Sequence, residues 1–280
     1  MNHLSDDTFE QILSRITSQD DIDIRDVKFI DPFGMIGIIE AGRYLDAAGR
    51  RKTLLLPESE DVVRYLERMD FFKYAGSVYD MASGPPELPD KFLRSPRSDV
   101  LLEITPIEKS DDIHFIVGKV KKRAHAILDT HLHYNERAIG GFIVALSEVC
   151  QNIIEHSENT GFVGIQKYSF HKRDKNVVKI AVMDLGIGFR ESLSERFSAA
   201  NDLDAIEKAL VHGVSRYRDE GRGHGLAAVR RFIRQWNGKI TIRSGTARFS
   251  IIPDWAWGKE SETNLTYFPG SQIHIMLPEV

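Results

Sequence analysis

The sequence predicts an α/β chain of two domains, on three observations. The first 80 residues alternate short apolar runs with helical periodicity. Residues 82–98, "ASGPPELPDKFLRSPRS", hold four prolines and little periodicity, as a linker does. The second half opens on helices and closes on strand-like alternation. A length of 280 residues suits two ordinary domains. The expected division is residues 1–90, a linker at 91–109, and residues 110–280.

In chain order, "DTFEQILSRI" (7–16) predicts a short amphipathic helix, and "DIDIRDVKFI" (21–30) ends as a strand. "DPFG" (31–34) reads as a turn. "MIGIIEAGRYLDAAG" spaces its apolar residues as a helix does, with Gly49 where a C-terminal cap belongs. "KTLLLP" (52–57) is a strand, and "SEDVVRYLERMDFF" is a helix with Ser59 as its N-cap. Strand, helix, strand, helix implies a parallel βαβ layer. In the second half, Ile113, Ile116, Val117, Val120, Ile127 and Leu128 form one stripe of a helix that Ser110 starts. A helix at 139–157 follows. "GFVGIQKYSF" (161–170) and "NVVKIAVMDLG" (176–186) read as neighbouring strands. Residues 224–238 form a helix ended by Gly238, and "KITIRSG", "ARFSII" and "SQIHIMLP" alternate like antiparallel strands.

Composition narrows the function. A net charge of −4 gives no overall pull toward nucleic acid or an anionic membrane. The lone Cys150 rules out an intrachain disulfide and fits a reducing compartment. The first residues lack a signal peptide's layout, and no run approaches about 18 apolar residues, so a cytoplasmic protein without a membrane span is expected.

Three stretches carry polar groups that packing alone does not require. "EVCQNIIEH" (148–156) stacks Glu148, Asn152 and His156 at four-residue spacing on one face of an apolar helix. Burying such groups unpaired is costly, so a side chain, water or ligand must face them. Asn152 can offer a carbonyl oxygen to Mg²⁺, and Glu148 can orient or deprotonate a water or hydroxyl. In "MDLGIG" (183–188) a strand ends in Asp184, beside which Gly186 and Gly188 let a flat ligand approach. A carboxylate only accepts hydrogen bonds, so it selects an exocyclic amine such as adenine's. In "EGRGHGL" (220–226), Gly221, Gly223 and Gly225 precede a helix and suit a phosphate seat. Taken singly, each stretch also reads as a polar helix edge or a surface turn.

In this order the three resemble the boxes of the GHKL ATP-binding fold shared by gyrase-type ATPases, histidine kinases, anti-sigma-factor serine kinases and MutL-type proteins. "EVCQNIIEH" is similar to that family's N-box, "DLGIG" to its G1 box, "GRGHGL" to its G2 box, and "FPGSQIHIMLP" to its closing strand. The resemblance covers residues 110–280 and implies an α/β sandwich: a mixed sheet with helices on one face. It implies ATP and Mg²⁺ as cofactors. Glu148 would be the general base, Asn152 the Mg²⁺ ligand, and Asp184 the partner of the adenine amine, with Gly186 and Gly188 beside the base. Gly221, Gly223 and Gly225 would line the triphosphate; Arg222 and His224, which alternate with them, are candidates for phosphate contact or for a plain surface turn. Residues 190–220 would be the ATP lid. The role of His156 stays open.

The first half resembles a STAS domain, the anti-sigma-antagonist fold. Its loop reads Asp31-Pro32-Phe33-Gly34 where that family often carries a phosphorylated serine, and neither middle residue accepts a phosphate. His125 and His131 are followed by Ala and Leu, which disfavours a sensor histidine kinase. The expected function is a Mg·ATP-binding regulator acting as an ATPase or an anti-sigma-type serine/threonine kinase. The alternative is a nucleotide-gated interaction module without turnover. Either implies a protein partner and leaves a homodimer open.

Overall fold

The computed structural model describes residues 2–18, 21–81, 99–129, 132–157, 159–170, 175–214 and 225–280. The N-terminal unit runs β1 (His3–Leu4), α1 (Phe9–Thr17), β2 (Ile22–Asp23), β3 (Phe29–Ile30), α2 (Pro32–Ala47), β4 (Leu54–Leu55), α3 (Glu60–Arg68) and α4 (Phe71–Val78). The remainder runs β5 (Val100–Ile107), α5 (Ser110–Ala124), a π-helical turn (His125–Asp129), α6 (Glu136–Asn152), a second π-helical turn (Ile153–Ser157), β6 (Gly161–Phe170) and β7 (Lys175–Asp184). It ends with α7 (Gly188–Ser194), α8 (Asp202–Leu210), α9 (Gly225–Gln235), β8 (Lys239–Gly245), β9 (Ala247–Ile251), β10 (Ser261–Glu262) and β11 (Phe268–Pro278).

The expected N-terminal layer is reorganised. β3 pairs in parallel with β1, and β4 with β2, as two separate two-stranded pairs. The strand leading into α2 therefore does not pair with the strand after it, as a simple βαβ unit requires. α2 is the centre instead. Asp31 caps it by accepting from Gly34 N at 3.0 Å, and Pro32 fills the first helical position, where no N–H is needed. The predicted turn is thus a helix start. Its faces are apolar nearly all round, so α2 is buried along most of its length.

β5 to β11 form one sheet in the order β10-β9-β8-β11-β7-β6-β5, and every pairing is antiparallel. This corrects the expected mixed sheet. It also corrects the linker, because residues 100–107 form an edge strand with Val100, Leu101, Leu102, Ile104 and Ile107 buried. Pro106 is tolerated there because an edge strand has a free side for a residue without an N–H.

Helices cover both faces, not one. α5, α6, α8 and α9 pack on the first face, against Val178, Ile180, Val182, Ile240, Ile242, Ile273 and Ile275. The N-terminal unit closes the second face, where its core runs on into Ala181, Met183, Phe162 and Phe268. Phe9 meets the Phe268 ring edge-on at 5.8 Å. Among the described residues one helical stretch, Glu136–Glu155, is long and apolar enough to cross a membrane. Here it is a core helix, with Phe142, Leu146, Val149 and Cys150 buried.

Candidate functional site

The polar row lies on α6. Asn135 starts this helix by accepting from Ala138 N at 3.0 Å. Val149, Cys150 and Ile153 face the core, while Glu148 and Asn152 are half-buried along its edge. Asn152 Nδ2 is buried and has no hydrogen-bond partner among the described residues. After Asn152 the helix widens into a π turn, a deviation frequent at functional sites.

That turn delivers Ser157 against the loop after β7. Ser157 O accepts from Ile187 N at 3.1 Å, and Asn159 Nδ2 donates to Leu185 O at 3.4 Å. A Cβ on Gly186 would lie 2.0 Å from Ser157 O, so only glycine permits this approach. The helix carrying Asn152 and the loop following Asp184 are thereby joined.

Asp184 ends β7 opposite Gly161 and is 2% exposed. Its Oδ1 accepts from Gly186 N at 2.8 Å, and its Oδ2 accepts from the Ser271 hydroxyl. Burial pushes the carboxyl up to about 6, against the opposing pull of these bonds and of Arg43. It is therefore mostly ionised at neutral pH. The Ser271 N–H bonds the carboxylate as well, and with about four acceptor positions on the two oxygens these three donors leave room for one from a ligand. β11 comes close behind it: Gly270 has φ +75°, and a Cβ there would lie 2.1 Å from Asp184 O.

α9 begins at Gly225, φ +40°. It packs along α6, where a Cβ on Gly141 would meet the Phe232 ring at 2.9 Å. Gly221, Arg222, Gly223 and His224 lie outside the described residues, as does the His156 side chain. Of the stretch expected to be the lid, residues 190–220, the structure describes 190–214. Leu193, Ile206, Ala209 and Leu210 are buried in the core, because α7 and α8 each carry an apolar face. A cavity of about 740 Å³ opens beside Gly188, lined among others by Arg190, Glu191, Asp202, Ser244 and Gly270. Glu148, Asn152 and Asp184 do not line it.

These residues fit Mg·ATP in kind. Asp184 offers an acceptor for an amine. The amide of Asn152 has a buried atom without a partner, and its oxygen and nitrogen exchange places on a flip of the side chain. Among the described residues no three His, Cys, Asp or Glu side chains cluster as a protein-only metal cage, and Mg²⁺ does not need one. The sequence reading missed Ser157 and Ser271. Ser271 had a signal, since it follows Gly270 at the head of an alternating strand. It also missed Glu40 and Arg43 of α2. Arg43 reaches Asn159 and Thr160 across more than 110 positions, beyond any local pattern.

Residues 140–279, half of the chain, match the family model described as histidine kinase-, DNA gyrase B-, and HSP90-like ATPase. No curated protein matches the sequence. Among solved structures, the chain is similar to the histidine kinase domain from Erythrobacter litoralis EL346 blue-light activated histidine kinase. Identity is 11%, coverage is 98% of this chain and 93% of that one, and the TM-score is 0.29.

Proposed function

Because the chain belongs to the histidine kinase-, DNA gyrase B-, and HSP90-like ATPase family, we propose that it binds Mg·ATP beside Asp184 and that Glu148 serves its turnover, as an ATPase or a serine/threonine kinase of the anti-sigma type. The observation that carries this reading is the Asp184 carboxylate. It is buried, mostly ionised at neutral pH, and held by the Ser271 hydroxyl, the Gly186 N–H and the Ser271 N–H, which leaves one acceptor position for the adenine amine. Gly186 and Gly188 keep the loop thin where the base would lie. Asn152 would hold Mg²⁺, whose charge would offset that of the phosphates. Gly221, Arg222, Gly223, His224 and Gly225 would take the phosphates at the N-terminus of α9. Glu148, one turn before Asn152, would orient or deprotonate the attacking water or hydroxyl.

Titration with ATP and GTP tests this. The wild type should prefer ATP, and Asp184→Ala should lose about ten- to a hundred-fold in ATP affinity. Equal binding of the two nucleotides by the wild type sinks the assignment. Glu148→Ala should keep affinity within a few-fold and abolish turnover, whereas Asn152→Ala should lose the magnesium-dependent part of binding.

A second reading is a nucleotide-gated interaction module in the cytoplasm, its STAS-like N-terminal unit meeting a protein partner. The packing of that unit against the sheet beside Asp184 favours it. Mass spectrometry of candidate partners incubated with Mg·ATP separates the two. New phosphoserine or phosphothreonine supports the kinase. Nucleotide-dependent co-elution without turnover supports the module.

A further inference from the structure

α2 places two charged residues behind the candidate site. Arg43 Nη2 donates to Thr160 Oγ1 at 2.6 Å and to Asn159 Oδ1 at 3.4 Å, and Nη1 donates to Thr160 O at 3.3 Å. Those two residues connect α6 to β6. Asn159 is tied to Ser157 through the serine hydroxyl, which donates to Asn159 O at 2.7 Å and accepts from Asn159 N at 3.0 Å. Ser157 in turn holds Ile187 N, and Asn159 holds Leu185 O. An unbroken chain of hydrogen bonds thus runs from α2 to both sides of Gly186. The Arg43 guanidinium also lies 5.5 Å over the Phe162 ring.

Glu40, one turn earlier on α2, accepts from Arg43 Nη1 at 3.1 and 2.9 Å and is fully buried. Burial pushes its carboxyl up to about 8, against the pull of Arg43 and with a further push from Asp184. Glu40 is therefore largely protonated at neutral pH. It fixes the guanidinium as an acceptor without cancelling its charge, and that charge is left to favour the ionised Asp184.

We propose that Arg43, set in place by Glu40, is a positioning residue of the adenine-nucleotide site: the N-terminal unit completes the site from behind by fixing Asn159, Thr160 and, through Ser157, the loop that follows Asp184. This deepens the Mg·ATP reading and rests on it. An ATP-binding domain without this unit would lack the support, so nucleotide affinity and docking of the unit are linked and each strengthens the other.

The test is calorimetric titration of the full chain with Mg·ATP between about pH 5 and 8. α2 presents Arg43 and Glu40 to Asp184, while β11 and the loop present only neutral groups, the Ser271 hydroxyl and N–H and the Gly186 N–H. Arg43→Ala should weaken binding about ten-fold at neutral pH. It should also move the acid limb of the affinity profile to higher pH, because Asp184 loses a favourable charge. Arg43→Lys keeps the charge and loses the fork, so it should restore the limb but only part of the affinity. Thr160→Val removes one acceptor and should give a smaller loss with the limb unmoved. It also decides the matter should Arg43→Ala fail to fold. Unchanged affinity and limb in all variants, with a wild type that binds ATP, overturns the inference and leaves the Asp184 reading standing. So does an affinity loss that tracks thermal stability while the limb of Arg43→Ala stays put. A wild type that does not bind ATP overturns both.

Discussion

On the first face of the sheet, Val178, Ile180 and Val182 of β7 meet Ile240, Ile242, Ile273 and Ile275, and helices close over them. On the second face the alternate residues include Lys179, Lys239, Arg243, Gln272 and His274, buried like the apolar Ala181 and Met183 beside them. The N-terminal unit brings the opposite charges. Asp31 Oδ2 lies 2.7 Å from Lys179 Nζ, Glu10 Oε1 lies 2.6 Å from Arg243 Nε, and Asp6 Oδ1 lies 3.2 Å from His274 Nδ1. One face is held by area alone, the other by area and by pairing. Apolar burial tolerates exchange of one hydrocarbon for another, whereas a buried charge tolerates only its own partner. The first face can therefore form from its own helices, and the second specifies which unit docks there.

The adjacent residues Lys179 and Ile180 give the sharpest way to break this contrast. Lys179→Ala strands the Asp31 carboxylate, which is 0% exposed, and should cost about 3–5 kcal/mol in urea unfolding. Ile180→Ala should cost about 2–5 kcal/mol through lost area and a cavity. The difference lies in rescue. Asp31→Asn combined with Lys179→Met removes both charges and keeps the cap on Gly34, so most of the loss should return. A double variant no better than Lys179→Ala would show that the second face is held by packing alone.

Protons sharpen the contrast next, with a somewhat smaller effect. Glu40 titrates near 8, above its ordinary 4.5, because of burial and despite Arg43. A raised carboxyl means the folded state keeps a proton the unfolded chain has lost. Its contribution is full below pH 4.5 and disappears as pH rises through 8. Asp6 is the reverse case. Burial alone would raise it, but His274, Lys239 and Lys179 hold it well below its ordinary 3.8. Its contribution is full above pH 3.8 and disappears as pH falls. Glu40→Gln should flatten the decline in melting temperature on the alkaline side, and Asp6→Asn the decline on the acid side. If each variant flattens both limbs, these two groups do not control them.

What the sequence made legible follows from range. Glu148 and Asn152 fall one helical turn apart, and Asp184 ends a strand two residues before a glycine. Such signals are local, and the chain folds them as read. β5 was missed because nearby prolines outweighed "VLLEITPI", a run that suits a strand at a sheet edge. α9 ends as expected near Gly238, but the left-handed residue is Asn237, at φ +51°, and Gly238 N closes the end by donating to Ile233 O at 2.8 Å. The charged face was illegible for a deeper reason. Lys179, Lys239 and Arg243 alternate with apolar residues as solvent-facing side chains do, and their partners lie 148 to 233 positions away. Period-two alternation states which residues share a face, not whether water or another unit covers it. Arg43 escaped notice on the same grounds.

The smallest effect comes from the helix that serves the apolar face and also carries the polar row. Asn135 caps α6 through Ala138 N, and without it one N–H of the first turn loses its partner. Asn135→Ala should cost about 1 kcal/mol in unfolding free energy, well below either face-breaking change. Glu148 lies 13 residues along the helix, about 20 Å away at 1.5 Å per residue. Between them Phe142, Ala145 and Leu146 are buried in the core, so fraying at the start should stop before it reaches Glu148. Mg·ATP affinity should therefore stay within about two-fold of wild type, as expected of distant sites without shared partners. A ten-fold loss of affinity in Asn135→Ala, with only the expected loss of stability, would mean that α6 moves as a rigid rod between its cap and its polar row, so that the apolar face, like the charged one, takes part in setting the nucleotide site.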